Sequence, residues 1–246
     1  MKRYFLIIFS FLIFLGYATT QETPPELVGL SWDTFALVED GTVRFFGIGG
    51  RGWEELEERR IFTFSSDFEK VVFLDLVNLG VITGNRLRFF HYTFQTGWKE
   101  IESRALILPD NYDSVIGLDI GAVGVIRGNT LIYYQSIQPW MERLSREFTL
   151  PEGFVSVVGL EPNSNEHDII GVIVGNRLKH FVFDFDNWYE IEYMEFILLA
   201  NYSSVIGFSY GRIGVVVDNI LKYYEYFGDH RGWGENEWYR FNLQER

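Results

Sequence analysis

The chain has 246 residues, no cysteine, 47% hydrophobic and 18% aromatic residues, and a formal charge of −13. The absence of cysteine excludes disulfide staples, Cys-ligated zinc or iron–sulfur centres and a lipid-anchored lipoprotein. The acidic balance argues against nucleic acid and anionic lipid surfaces as partners, and it favours solubility.

Residues 1–18 read as a signal peptide. Lys2 and Arg3 start it, an apolar run from Tyr4 to Leu15 is broken only by Ser10, and Gly16-Tyr17-Ala18 places small residues at −3 and −1 of a cut. That run falls short of the ~20 residues of a spanning helix, although an uncleaved anchor remains an alternative. Export without disulfides suits a bacterial periplasm or cell exterior. Cleavage leaves a mature chain with charge near −15, in which residues 19–26 form a linker containing Pro24-Pro25 and residues 27–246 form one domain. A chain of this size buries roughly 70% of its unfolded surface and needs no metal or disulfide to fold.

Five copies of one unit follow. Leu37 to Phe46, Val81 to Phe90 and Val125 to Tyr134 align without gaps, and Val172 to Phe181 and Val215 to Tyr224 continue the series. The second turn residue falls at 41, 85, 129, 176 and 219, so the period is 43 to 47 residues. Each copy breaks into four short apolar runs, A to D. In the third copy these are Val115 to Asp119, Val123 to Arg127, Thr130 to Gln135, and about Glu142 to Leu150. Asp40-Gly41, Gly84-Asn85, Gly128-Asn129, Gly175-Asn176 and Asp218-Asn219 join B to C as tight hairpin turns. Run D alternates like a half-exposed strand, whereas A and B are apolar with interspersed glycine, as in strands buried on both faces. Four strands per 40–50 residues is the propeller period. The fold class expected is all-β: a five-bladed β-propeller of four-stranded antiparallel blades, near 27–67, 68–111, 112–153, 154–201 and 202–246. A flattened sandwich is the rival. With A on the axis and D outside, blade five packs on blade one to close the ring.

In such a blade the A–B and C–D loops share one face, and the B–C turns and D–A links share the other. The second face is monotonous. On the first, A–B segments are expected to run about five residues to the next glycine, but the fourth is longer and carries Asn163, Asn165 and His167. The C–D loops of copies one and five both contain Arg-Gly-Trp, at Arg51-Gly52-Trp53 and Arg231-Gly232-Trp233. Variable loops on a rigid scaffold usually carry function, so the ligand-binding candidates are Arg51, Trp53, Asn163, Asn165, His167, Arg231 and Trp233. Structural readings stand beside these. Trp53 aligns with Trp98, Trp140 and Trp188 as a repeat-wide packing residue. Trp238 matches that position better than Trp233, and the two arginines could clasp the terminal blades.

Strand A ends in Ser31, Asp75, Asp119, Glu161 and Ser209. If A lines the axis, Asp75, Asp119 and Glu161 converge at one channel mouth. There they could hold calcium or act as acid and base on a glycoside. The plainer alternative is a turn-forming acid copied with the repeat. Asp184 to Asn187 resembles a calcium-loop fragment without the required glycine and glutamate. No nucleophile elbow or phosphate loop occurs, and His180 stands where other copies have Phe or Tyr.

In blade number and size the mature chain resembles the tachylectin-type lectins, although no sugar-binding residue carries over from that family. The Trp-Asp ending of WD repeats is absent. The resemblance implies a propeller with a ligand face. The function expected is a monomeric, exported, non-catalytic binding module for carbohydrate or an envelope protein. A small glycoside hydrolase using Asp75, Asp119 and Glu161 and a structural envelope protein are the alternatives.

Overall fold

The computed structural model describes residues 25–56, 61–64, 68–119, 121–136, 140–142, 146–160, 168–184, 187–228 and 230–244. Each copy forms one antiparallel sheet, and the five sheets form a five-bladed propeller. Blade 1 comprises β1 (Glu26–Ser31), β2 (Thr34–Glu39), β3 (Thr42–Gly49), β4 (Gly52–Glu55) and β5 (Phe62–Thr63). Blade 2 runs from β6 (Lys70–Asp75) through β7 (Asn78–Thr83), β8 (Arg86–Thr93) and β9 (Gly97–Glu100) to β10 (Leu106–Ile107). Blade 3 holds β11 (Ser114–Asp119), β12 (Ala122–Arg127), β13 (Thr130–Ser136), β14 (Trp140–Glu142) and β15 (Phe148–Thr149). Blade 4 holds β16 (Phe154–Gly159), β17 (Asp168–Val174), β18 (Arg177–Asp184), β19 (Asn187–Glu190) and β20 (Phe196–Ile197). Blade 5 ends the series with β21 (Tyr202–Ser209), β22 (Arg212–Val217), β23 (Ile220–Tyr226) and β24 (Trp233–Asn242).

Strand D is therefore two short pieces in blades 1 to 4, both paired to strand C, and one continuous strand in blade 5. In blades 2 and 4 a 3-10 turn, Glu102–Arg104 or Glu192–Met194, separates the pieces. The B–C hairpins use the backbone freedom their residues offer. The glycine of each Gly-Asn turn takes φ near +60°, whereas in Asp40-Gly41 and Asp218-Asn219 both residues take positive φ.

The first strands β1, β6, β11, β16 and β21 touch in a ring around the axis. They can do so because four carry glycine at the closest point. A Cβ added to Gly29 would lie 1.8 Å from the Gly207 carbonyl oxygen, and one on Gly117 would lie 1.7 Å from that of Phe73. The matching distances are 2.0 Å for Gly159 against Gly117 and 1.9 Å for Gly207 against Gly159. Just beyond this point the cross-strand register shifts in four blades, at Leu30, Leu74, Leu118 and Phe208, all fully buried.

The core consists of five apolar layers, one between each pair of adjacent blades. The layer that closes the ring joins Leu27, Phe35, Leu37 and Phe46 of blade 1 to Ile206, Phe208 and Tyr223 of blade 5. Among the described residues no helix is long and apolar enough to cross a membrane.

Candidate functional site

The face bearing the A–B and C–D turns is flatter than the glycine spacing suggests. Strands β2, β7 and β22 begin at Thr34, Asn78 and Arg212, so Trp32-Asp33, Leu76-Val77 and Tyr210-Gly211 are two-residue turns. The expected five-residue segments are therefore mostly strand. Gly80, Gly124 and Gly214 lie inside strand B against leucine side chains of strand C. Only blade 4 has a longer connection, and residues 161–167, with Asn163, Asn165 and His167, lie outside the described residues.

What differentiates the blades on this face is the strand-B residue two positions before Ala36, Gly80, Gly124, Gly171 or Gly214, and its partner on strand C. These pairs are Thr34 and Gly47, Asn78 and His91, Ala122 and Gln135, Ile169 and Val182, and Arg212 and Glu225. In blade 5 the Arg212 Nε donates to Glu225 Oε1 at 3.1 Å, and the Asn236 amide donates to Glu225 Oε2 at 3.3 Å. The Arg212 guanidinium carbon lies 5.4 Å from the ring centre of Trp32, which sits in the A–B turn of blade 1. Trp32 is 52% exposed. Its backbone is fixed by the Tyr223 hydroxyl, which donates to the Trp32 carbonyl at 2.8 Å. Burial pushes that phenol well above the usual tyrosine range, so it remains a donor at neutral pH. The result is a side-chain cluster at the seam between blades 5 and 1 in which a large aromatic face, a forked cation and a carboxylate converge.

Of the two Arg-Gly-Trp motifs, only the tryptophans are held by neighbours. Trp53 donates from Nε1 to the Tyr239 carbonyl at 2.8 Å and stacks on Phe208 with ring centres 5.5 Å apart. Trp188 donates to the Arg146 carbonyl at 3.1 Å, and Trp233 to the Met194 carbonyl at 3.0 Å. One device thus ties each of these blades to the blade before it. Cross-strand register places Trp233, opposite Tyr226, where Trp53 stands opposite Ile48, so Trp233 is the repeat position. Trp238, expected there, instead sits further along β24 and is 86% exposed. The connection from Tyr226 to Trp233 is only two residues longer than that from Ile48 to Trp53, so spacing agrees with register. Arg51 is exposed, and the Arg231 guanidinium lies 5.4 Å from the ring centre of its own loop's half-exposed Phe227.

The carboxylate at the end of β6 makes its own turn. Asp75 Oδ1 accepts the Val77 N–H at 2.8 Å, and Oδ2 accepts the Asn78 amide at 2.5 Å. Asn78 Oδ1 in turn accepts a hydrogen bond from His91 Nδ1 at 2.8 Å. The Asp119 side chain and Glu161 lie outside the described residues, and among those described no group of three or more His, Asp or Glu is placed to hold a metal. The A–B face is otherwise set with exposed aromatics, including Phe94 at the C–D turn of blade 2, 85% exposed. Sequence reasoning missed Trp32, Arg212, Glu225 and Asn236. The signal available was that Trp32 and Arg212 are the only such residues at their repeat positions.

No protein-family model matches the chain, and no curated protein matches it. Solved propellers do. The fucose-specific lectin from Aleuria aurantia is 14% identical over 87% of this chain and 78% of that one, with a TM-score of 0.53. A variant of that lectin in complex with alpha-methyl-L-fucoside is 15% identical with the same coverage and TM-score. The SapL1 lectin, in complex with alpha methyl fucoside, is 15% identical over 89% of this chain and 81% of its own, with a TM-score of 0.50. At these identities the likeness is one of fold.

Proposed function

We propose that the protein is an exported, non-catalytic carbohydrate-binding module acting through its A–B/C–D face. The observation that carries this reading is the side-chain cluster at the seam between blades 5 and 1. There a half-exposed indole, the Arg212 guanidinium and the Glu225 carboxylate meet at one spot. An indole stacks on the C–H face of a sugar ring, while a guanidinium and a carboxylate supply a donor fork and acceptors for its hydroxyls. The structural neighbours support the choice of ligand class, since they are two lectins, each held with a fucoside, and one of them is described as fucose-specific.

The test is a glycan array on the purified protein, α-L-fucosides included, run with calcium and with a chelator. Saturable binding to one sugar class is the expected result. Trp32→Ala should weaken it about tenfold, the loss of about 1.4 kcal/mol of stacking. A blank array in both buffers would overturn the reading. Loss with chelator alone would assign a metal to the face, with Asp119 and Glu161 the first residues to change.

A further inference from the structure

The opposite end of the axis holds a well. Its volume is about 560 Å³, within the range of small-molecule sites, and it is enclosed by the first strands of all five blades. The glycine approaches at Gly29, Gly117, Gly159 and Gly207 narrow its floor, and its lining is largely aliphatic, with Val28, Val155 and Val158 the valines that keep accessible surface. Its rim is polar. Glu26, Lys70, Ser156 and Ser204 occupy the same strand position in blades 1, 2, 4 and 5, three residues before the axial position.

Glu26 and Lys70 are neighbours of opposite charge, and among the described residues neither side chain makes a hydrogen bond or an ion pair. Burial raises the Glu26 carboxyl above its ordinary value, and the Lys70 charge only partly offsets this. A partly desolvated carboxylate beside an unbonded ammonium gains from a ligand that presents both opposite charges. An amine alone would set a cation against Lys70, and an acid alone would set an anion against Glu26. A molecule carrying both satisfies both, and its apolar tail fills the valine-lined well.

We propose that this axial well binds a small zwitterion with an apolar tail, of the chemistry of a free aliphatic α-amino acid. The site lies on the B–C/D–A face, apart from the proposed sugar site, so the two proposals stand or fall separately.

Titration calorimetry of the purified protein with L-leucine tests it, with isoamylamine and 4-methylpentanoic acid as half-molecules. Saturable one-to-one binding of leucine is expected, with each half-molecule at least tenfold weaker. Glu26→Gln and Lys70→Met should each weaken leucine about tenfold, and Ser204→Trp, which places a bulky ring at the rim, should abolish binding. Trp32→Ala should leave it unchanged. No saturable heat up to millimolar leucine, equal affinity for either half-molecule, or full binding by the correctly folded Ser204→Trp variant would each overturn the proposal.

Discussion

His180 holds the position that Phe45, Phe89, Tyr133 and Tyr223 fill in the other copies, and the substitution exchanges an apolar or singly polar ring for one with two nitrogens. The ring is fully buried, neither nitrogen has a hydrogen-bond partner, and the Trp233 ring lies 5.4 Å away. Burial lowers its pKa from 6.5 to about 4. In the unfolded chain the imidazole therefore takes up a proton between pH 6.5 and 4 that the folded protein refuses, so its contribution to stability falls as pH drops through that window. The loss reaches about 3 kcal/mol at the lower end. His180→Phe should remove this part of the acid sensitivity. Urea unfolding of both proteins at pH 7 and pH 4.5 checks it, because the carboxylates contribute equally to each and cancel. An unchanged difference between the two pH values would show that the imidazole is solvated or partnered.

At the level of elements, the first strands are built around close backbone approach and the fourth strands of blades 1, 4 and 5 around a bond to the neighbouring blade, whereas Trp98 of blade 2 is buried without a partner for its Nε1. Gly159 stands against the Gly117 carbonyl, where no side chain fits, whereas Gly50 has nothing within 4 Å and no unusual backbone angle. Gly159→Ala should therefore cost about 3 kcal/mol or more, and Gly50→Ala should be nearly neutral, as read from denaturant midpoints. The indole ties make a second set. Trp53→Phe, Trp188→Phe and Trp233→Phe each leave one carbonyl of the adjacent blade without its donor, for a cost of roughly 1–3 kcal/mol apiece. The three losses should be similar, because they are one interaction repeated. The outer charge pairs of strands C and D behave differently. Arg88 with Glu100 and Lys179 with Glu190 recur from blade to blade, but they are partly solvated and contribute little each.

For the molecule as a whole, closure is what separates this ring from an open stack of repeats, in which the end units fray. The layer between blades 5 and 1 is richer in aromatic rings than the aliphatic layer between blades 2 and 3, and it includes the stacked pair Phe35 and Phe46 at 5.1 Å. Phe35→Ala at the closure should then cost at least as much as Phe89→Ala between blades 2 and 3, roughly 3–5 kcal/mol. Both variants should still unfold in a single transition by far-UV circular dichroism and tryptophan fluorescence. A much milder effect at Phe35, or a separate early transition, would mean that the ring opens at that seam.

The blade count, the strand order and the B–C turns were legible in the chain itself. They depend on local periodicity, on dipeptides such as Gly128-Asn129, and on a repeat whose copies bury the same positions. The role of the A-strand glycines as points of contact, and the pairing of Arg212 with Trp32, were not. Those residues lie 180 positions apart in sequence and meet only because blade 5 docks on blade 1. The assignment of Trp233 rather than Trp238 to the interblade tie was open to spacing as well as register, since Trp233 follows the second B–C turn residue by 14 positions, against 11 to 13 in the other copies and 19 for Trp238. The axial well was not legible. Glu26, Lys70, Ser156 and Ser204 are unremarkable strand-opening residues in sequence, and the ring alone brings them to one rim. Periodicity specifies which face of a strand is buried; only the closed packing of five blades decides what that face meets.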